Sequence, residues 1–342
     1  MEIDVMAKNS IFKSLMVAGI CCGLFAWGCE QQEKKAAPAQ AKSPELVKIA
    51  LRPTVGEKAT YKILTLARRT TKWEGPVPKE SAFEENFTEE KVELVVSMRV
   101  QNVDPNGVAV AQATIEGLKC LNSTKNSTIA DFDSSRSSDV NDPLMQLIGR
   151  TYLIEYNTAD YVSAVDDIPR VNILFKSDTP SSRFGMTMML PDAITARHDA
   201  FALPLPGRQM VKVGDKWTKI KTFPFGKMGL KSYEKVYTLE AVRDIGGRSM
   251  AIIDMNAIPT SEVEPRFASQ KGAVEAPKMF DSNDSYTGGG ELDLKAGRIE
   301  NYHENFQTNW VVALPSKQGE PTSEPVVLHM SSKYVYSIER VK

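Results

Sequence analysis

The chain is expected to be mainly β, with two tandem, related antiparallel β units (curved sheets or half-barrels) joined by a segment with one short helix. Three observations carry this expectation. A hexapeptide recurs: Val55-Gly56-Glu57-Lys58-Ala59-Thr60 returns as Val213-Gly214-Asp215-Lys216-Trp217-Thr218, identical at four of six positions. Alternating runs of apolar and β-branched residues follow each copy and break at Gly- or Asn-rich turns, the signature of hairpins. Helical periodicity is confined to one stretch between the copies. A duplication sets the architecture, so it is read before any single element.

The N-terminus carries an address. Lys8 and Lys13 precede thirteen apolar residues, Leu15 to Trp27, which end at Ala26-Trp27-Gly28-Cys29. A basic stretch, a short apolar core and small residues at the cut make a secretory signal, here residues 1–28. Glu2 and Asp4 oppose that charge, so Met6 is the expected start. A membrane span needs about 20 apolar residues, which this core does not reach. Gly28-Cys29 resembles the processing site of bacterial lipoproteins, whose cysteine is acylated and becomes the mature N-terminus. That resemblance implies lipidation at Cys29, although Ala26 and Trp27 replace the leucine and small residue usual there. Ala26 and Gly28 equally fit ordinary small-x-small cleavage, which would leave a secreted soluble protein. Residues 29–46 then form a tether: Glu30 to Glu45 is polar, rich in Ala, Gln, Lys and Pro, and too poor in apolar residues to fold. A flexible chain of that length spans about 20 Å. The expected location is outside the cytoplasm, anchored to a membrane and facing the periplasm or cell exterior.

Residues 47–180 form the first β unit. After the opening strand, KVELVVSMRV turns at Asp104-Pro105-Asn106-Gly107 and returns as VAVAQATI; TYLIEYN and YVSAV (Thr151 to Val165) close the unit. Residues 181–210 are the connecting segment, with a helix begun by Pro191, whose fixed φ suits a first turn. Leu190, Ile194 and Phe201 lie near one face of that helix, which is expected to bridge the units more than to plug a sheet. Residues 211–342 form the second β unit: VYTLEAV turns at Gly246-Gly247 into SMAIIDM, GELDLKAGRIENYHENF turns at Ala296-Gly297, and KYVYSIERV ends the chain. Strands of five to nine residues are expected from these runs.

Taken together, the VG-E/D-K opening, the VDPNG hairpin, DFDSS, LIGRTYLIEYN, LPLPGRQMVKVGDKW and GELDLKAGRI resemble a family of exported bacterial proteins that carry a domain of unknown function. The resemblance spans about Leu46 to Lys342 and implies fold and export; the family has no site to carry over. Glu74–Glu90 and Thr260–Asp284 depart from it.

Composition narrows the function classes. Net charge is −1, with 25% charged and 42% hydrophobic residues, so no basic field exists to attract nucleic acid. Of four cysteines, Cys21 and Cys22 leave with the signal, and Cys120 remains as a core or strand-end residue. It lacks the basic neighbour that would activate a thiol.

No catalytic, metal or cofactor constellation emerges. His198, His303 and His329 are far apart and read as surface or half-buried residues. His303-Glu304 begins like a zinc-protease motif, but Gln307 stands where the second histidine belongs. Asp281-x-Asn283-x-Ser285 fails as a calcium loop at Tyr286 and Leu292, and reads as a surface loop. Asp131, Asp133, Asp139 and Asp142 read as a solvated loop, able at most to hold a divalent ion weakly. Gly288-Gly289-Gly290 precedes a strand and cannot cradle phosphate at a helix start. Trp217, Trp310, Tyr61, Tyr152, Tyr237 and Tyr302 are expected on strands as core or cross-strand partners.

The expected function is therefore a non-enzymatic binding or scaffolding module of the cell envelope, held to the membrane by its lipid, with an envelope protein as possible partner. Two alternatives stand beside it: a carrier or sensor of an apolar ligand in a half-barrel cavity, and an envelope hydrolase using scattered carboxylates.

Overall fold

The computed structural model describes residues 46–75, 84–157, 162–165, 175, 178–202, 210–225, 229–265, 267, 281–314 and 326–341. They belong to one compact unit, Pro44–Lys342. The signal, Cys29 and the tether lie outside the described residues, apart from Leu46.

Twelve strands are present among the described residues: β1 (Lys58–Glu74), β2 (Asn86–Val103), β3 (Val108–Thr124), β4 (Thr128–Asp133), β5 (Thr151–Asn157), β6 (Val162–Val165), β7 (Lys216–Pro224), β8 (Leu230–Ile245), β9 (Arg248–Thr260), β10 (Asp281–Asp293), β11 (Arg298–Leu314) and β12 (Val326–Val341). They form one open antiparallel sheet in the order β6-β5-β3-β2-β1-β12-β11-β10-β9-β8-β7, with β4 beside β3 off this path. The mainly β expectation holds, and the two units join edge to edge through β1 and β12.

Each unit opens identically. Gly56 and Gly214 take positive φ, 84° and 93°, a conformation glycine adopts without strain. The Gly56 amide donates to the Val100 carbonyl, and the Val100 amide donates to Glu57; the Gly214 amide donates to Leu239, and the Leu239 amide to Asp215. A β-bulge follows directly in both hairpins, at Val100/Asn102 and at Leu239/Ala241. In chain order both units run as meanders, the first outward from the sheet centre as β1-β2-β3-β5-β6 and the second inward from the edge as β7-β8-β9-β10-β11.

The strands are far longer than five to nine residues: β1 has 17, β2 18 and β11 17. The apolar alternation marks only the part of each strand that covers the core. Beyond it, polar β-branched residues continue the ladder, and charge pairs such as Lys62–Glu93 (2.9 Å) and Arg68–Glu89 bridge neighbouring strands. The same effect corrects two loops. Asp131 and Asp133 end β4, where Ala130 and Phe132 alternate inward. Asp281, Asn283 and Ser285 start β10, and the glycine triplet sits inside that strand instead of preceding it.

The connecting segment contains two short helices, α1 (Pro180–Met188) and α2 (Pro191–Arg197), then a 3₁₀ turn at Asp199–Ala202. Pro191 opens α2 as expected; α1 opens at Pro180, with Thr179 Oγ1 accepting from the Ser182 amide. Leu190 is an exposed N-cap, whereas Ile194 and Phe201 are buried. The segment plugs the sheet rather than bridging the units. Phe184, Met188, Met189 and Phe201 join the same core cluster as residues from both halves.

That plug shows how strongly the sheet curls. β5 and β7 are nine strand spacings apart in the order, about 43 Å if flat. Yet the Phe201 ring lies 5.7 Å from Tyr156 on β5, and Asp199, two residues earlier, accepts from Lys221 Nζ on β7 at 2.9 Å. The two wings therefore fold round one turn of chain into a half-barrel whose concave face is the core.

Candidate functional site

The concave face changes character between its halves. In the first, β2 sends in Val92, Leu94, Val96, Met98 and Val100, and β3 sends in Ala109, Ala111, Ala113 and Ile115. In the second, β8 presents Tyr233, Lys235, Tyr237 and Leu239, while β11 presents Tyr302, Glu304, Phe306 and Thr308, all buried. Lys235 and Glu304 meet across β9 and β10: Nζ donates to Oε1 at 2.6 Å, with side chains 3% and 6% exposed. Gly288 is the register neighbour of Glu304 on β10 and puts no side chain into the space between them. A Cβ there would stand 2.4 Å from the His303 carbonyl oxygen.

Glu304 is fully engaged. Tyr302 donates to Oε1 at 2.6 Å, Tyr286 donates to Oε2, and the Tyr237 and Tyr302 hydroxyls are 3.4 Å apart. Burial alone would raise the Glu304 pKa, but Lys235, Lys221 and the Tyr286 hydroxyl hold it below the usual glutamate value. Burial alone would lower that of Lys235; Glu304, with the surrounding tyrosines, holds it well above the usual lysine value. Both groups stay charged, and a carboxylate with three donors and a depressed pKa is a weak base. The arrangement positions charge and is poorly suited to proton transfer.

Around this pair lies a ring of further groups. Asp199 accepts from Lys221 and stands 3.9 Å from Lys219. Burial opposes its ionisation, but Lys221, Lys219 and Lys235 hold its carboxyl well below the usual range. Phe223 stacks on Phe306 at 4.7 Å, and Tyr233 and Tyr286 meet both edge-on.

Arg197 and His198 end α2 inside the barrel. The Tyr336 hydroxyl donates to the Arg197 carbonyl at 2.8 Å, satisfying a helix-end acceptor. The guanidinium is buried, the residue being 5% exposed, and Nη1 has no hydrogen-bond partner. His198 is fully buried, its Nε2 2.9 Å from the Tyr152 hydroxyl. Burial, then the charge of Arg197, pushes its pKa down to about 3, so the ring is neutral. This corrects the expectation of a surface or half-buried histidine: the turn after α2 points inward, not across the surface. A pocket of about 250 Å³ separates α1 and α2 from β1, β2 and β12, with Thr65, Glu90, Val92, Met188, Arg197 and Tyr334 among its walls.

The remaining expected residues stay apart. His303 is exposed on β11, and His329 is half-buried, 3.0 Å from Glu74. Arg136 ties Asp131 to Asp139, Asp133 binds Ser135, and Asp142 caps the Leu144 amide, so the four acids serve the local turns. Among the described residues no three His, Cys, Asp or Glu side chains converge as metal ligands. Cys120 is buried, and burial, reinforced by Asp142, pushes its thiol up to about 12. Trp217 stacks on Tyr237, and Trp310 and Trp73 sit in a second apolar cluster with Leu328 and Met330. Lys235 and Arg197 were not singled out from the sequence, and Glu304 entered only through the rejected zinc-protease motif.

No family model matches the chain, and no curated protein matches it. Among solved structures, a lipovitellin structure concerned with lipid–protein interactions is 9% identical with a TM-score of 0.40, over 85% of this chain and 26% of that one. OccK7 (OpdD) of Pseudomonas aeruginosa is 9% identical with a TM-score of 0.22, over 84% and 100%. OpdL of the same organism is 9% identical with a TM-score of 0.19, over 84% and 99%. Scores this low do not establish a shared fold. Among the described residues no helix is long and apolar enough to cross a membrane.

Proposed function

We propose that this chain is an exported envelope module, lipid-anchored at Cys29, that binds an apolar or amphiphilic ligand on the concave face of its half-barrel and performs no chemistry of its own. The observation that carries the reading is the plug. Two short helices cover an apolar wall, yet leave a pocket of about 250 Å³ beside it, just under the range of sites for drug-sized ligands. The weak basicity of Glu304 supports a binding role over hydrolysis. The reading takes the two halves as tandem copies, supported by their matching turns, bulges and strand order, and places them in the exported family that the motifs resemble.

Native mass spectrometry of protein released from its own membrane tests this. The expected spectrum carries a non-covalent adduct, lost on organic extraction, in addition to acyl mass at Cys29. Bare polypeptide before and after extraction, even with lipid supplied, would contradict the ligand reading. An unmodified Cys29 would contradict the anchor alone.

A further inference from the structure

We infer that the pocket between α1–α2 and β1, β2 and β12 receives an anionic group, a carboxylate or phosphate, carried on a short apolar chain, with Arg197 as its counter-charge. The inference deepens the ligand reading above and rests on it.

Two independent features meet here. The first is space open to solvent: Glu90, Ala67, Thr187 and Ala196 at the pocket wall are exposed. The second is a buried guanidinium with an unpartnered Nη1 on the same wall. Among the described residues no carboxylate lies within ion-pair distance of it. Tyr152 hydrogen-bonds the guanidinium but is no counter-ion, and a buried charge is costly until it is paired as well as hydrogen-bonded. Burial pulls the Arg197 pKa downward, against the charge interaction and hydrogen bond with Tyr152 and the field of Glu90. An anion arriving in the pocket would supply the missing acceptor, and charge-assisted bonds to guanidinium are among the strongest available.

The rest of the wall specifies what the anion is attached to. Val92 and Met188 are buried and apolar, and Thr65 adds a hydroxyl. Glu90 stands at the rim. A carboxylate there repels a second anion, so it sets a selective entrance and weakens binding relative to a neutral rim. The class that fits is a single short acyl or alkyl chain with a terminal carboxylate or phosphate.

The test compares octanoate, octyl phosphate and octanol by calorimetric titration of the whole exported chain. Octanoate or octyl phosphate should bind at least tenfold more tightly than octanol, and the tighter of the two identifies the head group. Arg197→Gln should remove that advantage and leave octanol affinity unchanged. Equal affinities for octanol and both anions in the parent protein, or an undiminished advantage in Arg197→Gln, would overturn the inference while leaving the ligand reading intact. Binding of none of the three would overturn the ligand reading itself and the inference with it. Should Arg197→Gln fail to fold, the rim variant Glu90→Gln decides. It should tighten octanoate about threefold without changing octanol, and no change in octanoate would overturn the inference.

Discussion

The two halves of the sheet share a framework and differ in what fills it. Their hairpins can be matched residue by residue from the clamped positions Val100 and Leu239. Stepping back along the inward face, Met98 corresponds to Tyr237, Val96 to Lys235 and Leu94 to Tyr233. A fully buried valine in one half is thus a fully buried lysine in the other. The first half behaves as an ordinary core, stabilised by aliphatic burial under α1 and α2. The second retains a buried ion pair, which contributes little net stability compared with an apolar replacement. The comparison locates the buried ion pair in the second half, with Asp199 and Lys221 where the plug meets β7, whereas Arg197 and His198 face the first half at Glu90 and Tyr152.

Breaking the ion pair should give the largest effect. Glu304→Ala leaves Lys235 charged and buried, and should cost about 3–5 kcal/mol in urea unfolding. The double variant Lys235→Met, Glu304→Leu should recover most of that loss and make the second half resemble the first. If the double variant is as unstable as the single, the pair is structural and the contrast between halves disappears.

Leu94→Ala, at the aliphatic counterpart of Tyr233, should cost about 3 kcal/mol through lost burial and the cavity left behind. The same denaturation series checks it, and a cost under about 1 kcal/mol would show that the first half is loosely packed.

The plug should respond to pH. His198 is neutral when folded, with a pKa near 3, and protonates near 6.5 when unfolded. Its contribution is complete above about pH 6.5 and falls as pH drops toward 3. By pH 5 the loss should be about 2 kcal/mol. Urea midpoints at pH 7 and pH 5 should show this, and His198→Gln should flatten the difference. Asp199 and Glu304, both depressed, add losses of the same sign at lower pH.

The smallest effect distinguishes the two opening turns. Asp215 accepts from the Lys212 amide at 3.0 Å, whereas Glu57 is 3.4 Å from the Thr54 amide. Asp215→Ala should cost about 1 kcal/mol and Glu57→Ala less, read as shifts in thermal midpoint. Equal shifts would mean that the glycine, not the acid, holds each turn.

Much of the framework was legible. The hexapeptide repeat marked the two matching opening turns at Gly56 and Gly214, alternation gave the hairpins, and Pro191 gave α2. Strand lengths were not legible, because polar residues beyond the core keep pairing through Thr, Lys and Glu without an apolar signal. β4 and the start of β10 were hidden by the same chemistry, since Asp, Ser and Asn runs read as turns. The candidate site had one usable clue. Matching KVYTLEAV against the first hairpin puts Lys235 at an inward position, where a charge demands a partner. Its partner Glu304 sits three strands away in the sheet order, a distance only the curl of the sheet closes. His198 and Arg197 gave no clue, since a seven-residue helical stretch does not reveal which side faces a sheet.

Hydrogen–deuterium exchange with and without octanol tests the central claim most directly. The account predicts altered protection confined to residues 180–202 and to the stretches of β1, β2 and β12 beneath them, with the outer strands β7 and β8 unchanged. Uniform exchange in both conditions, or changes spread along the convex face, would contradict it.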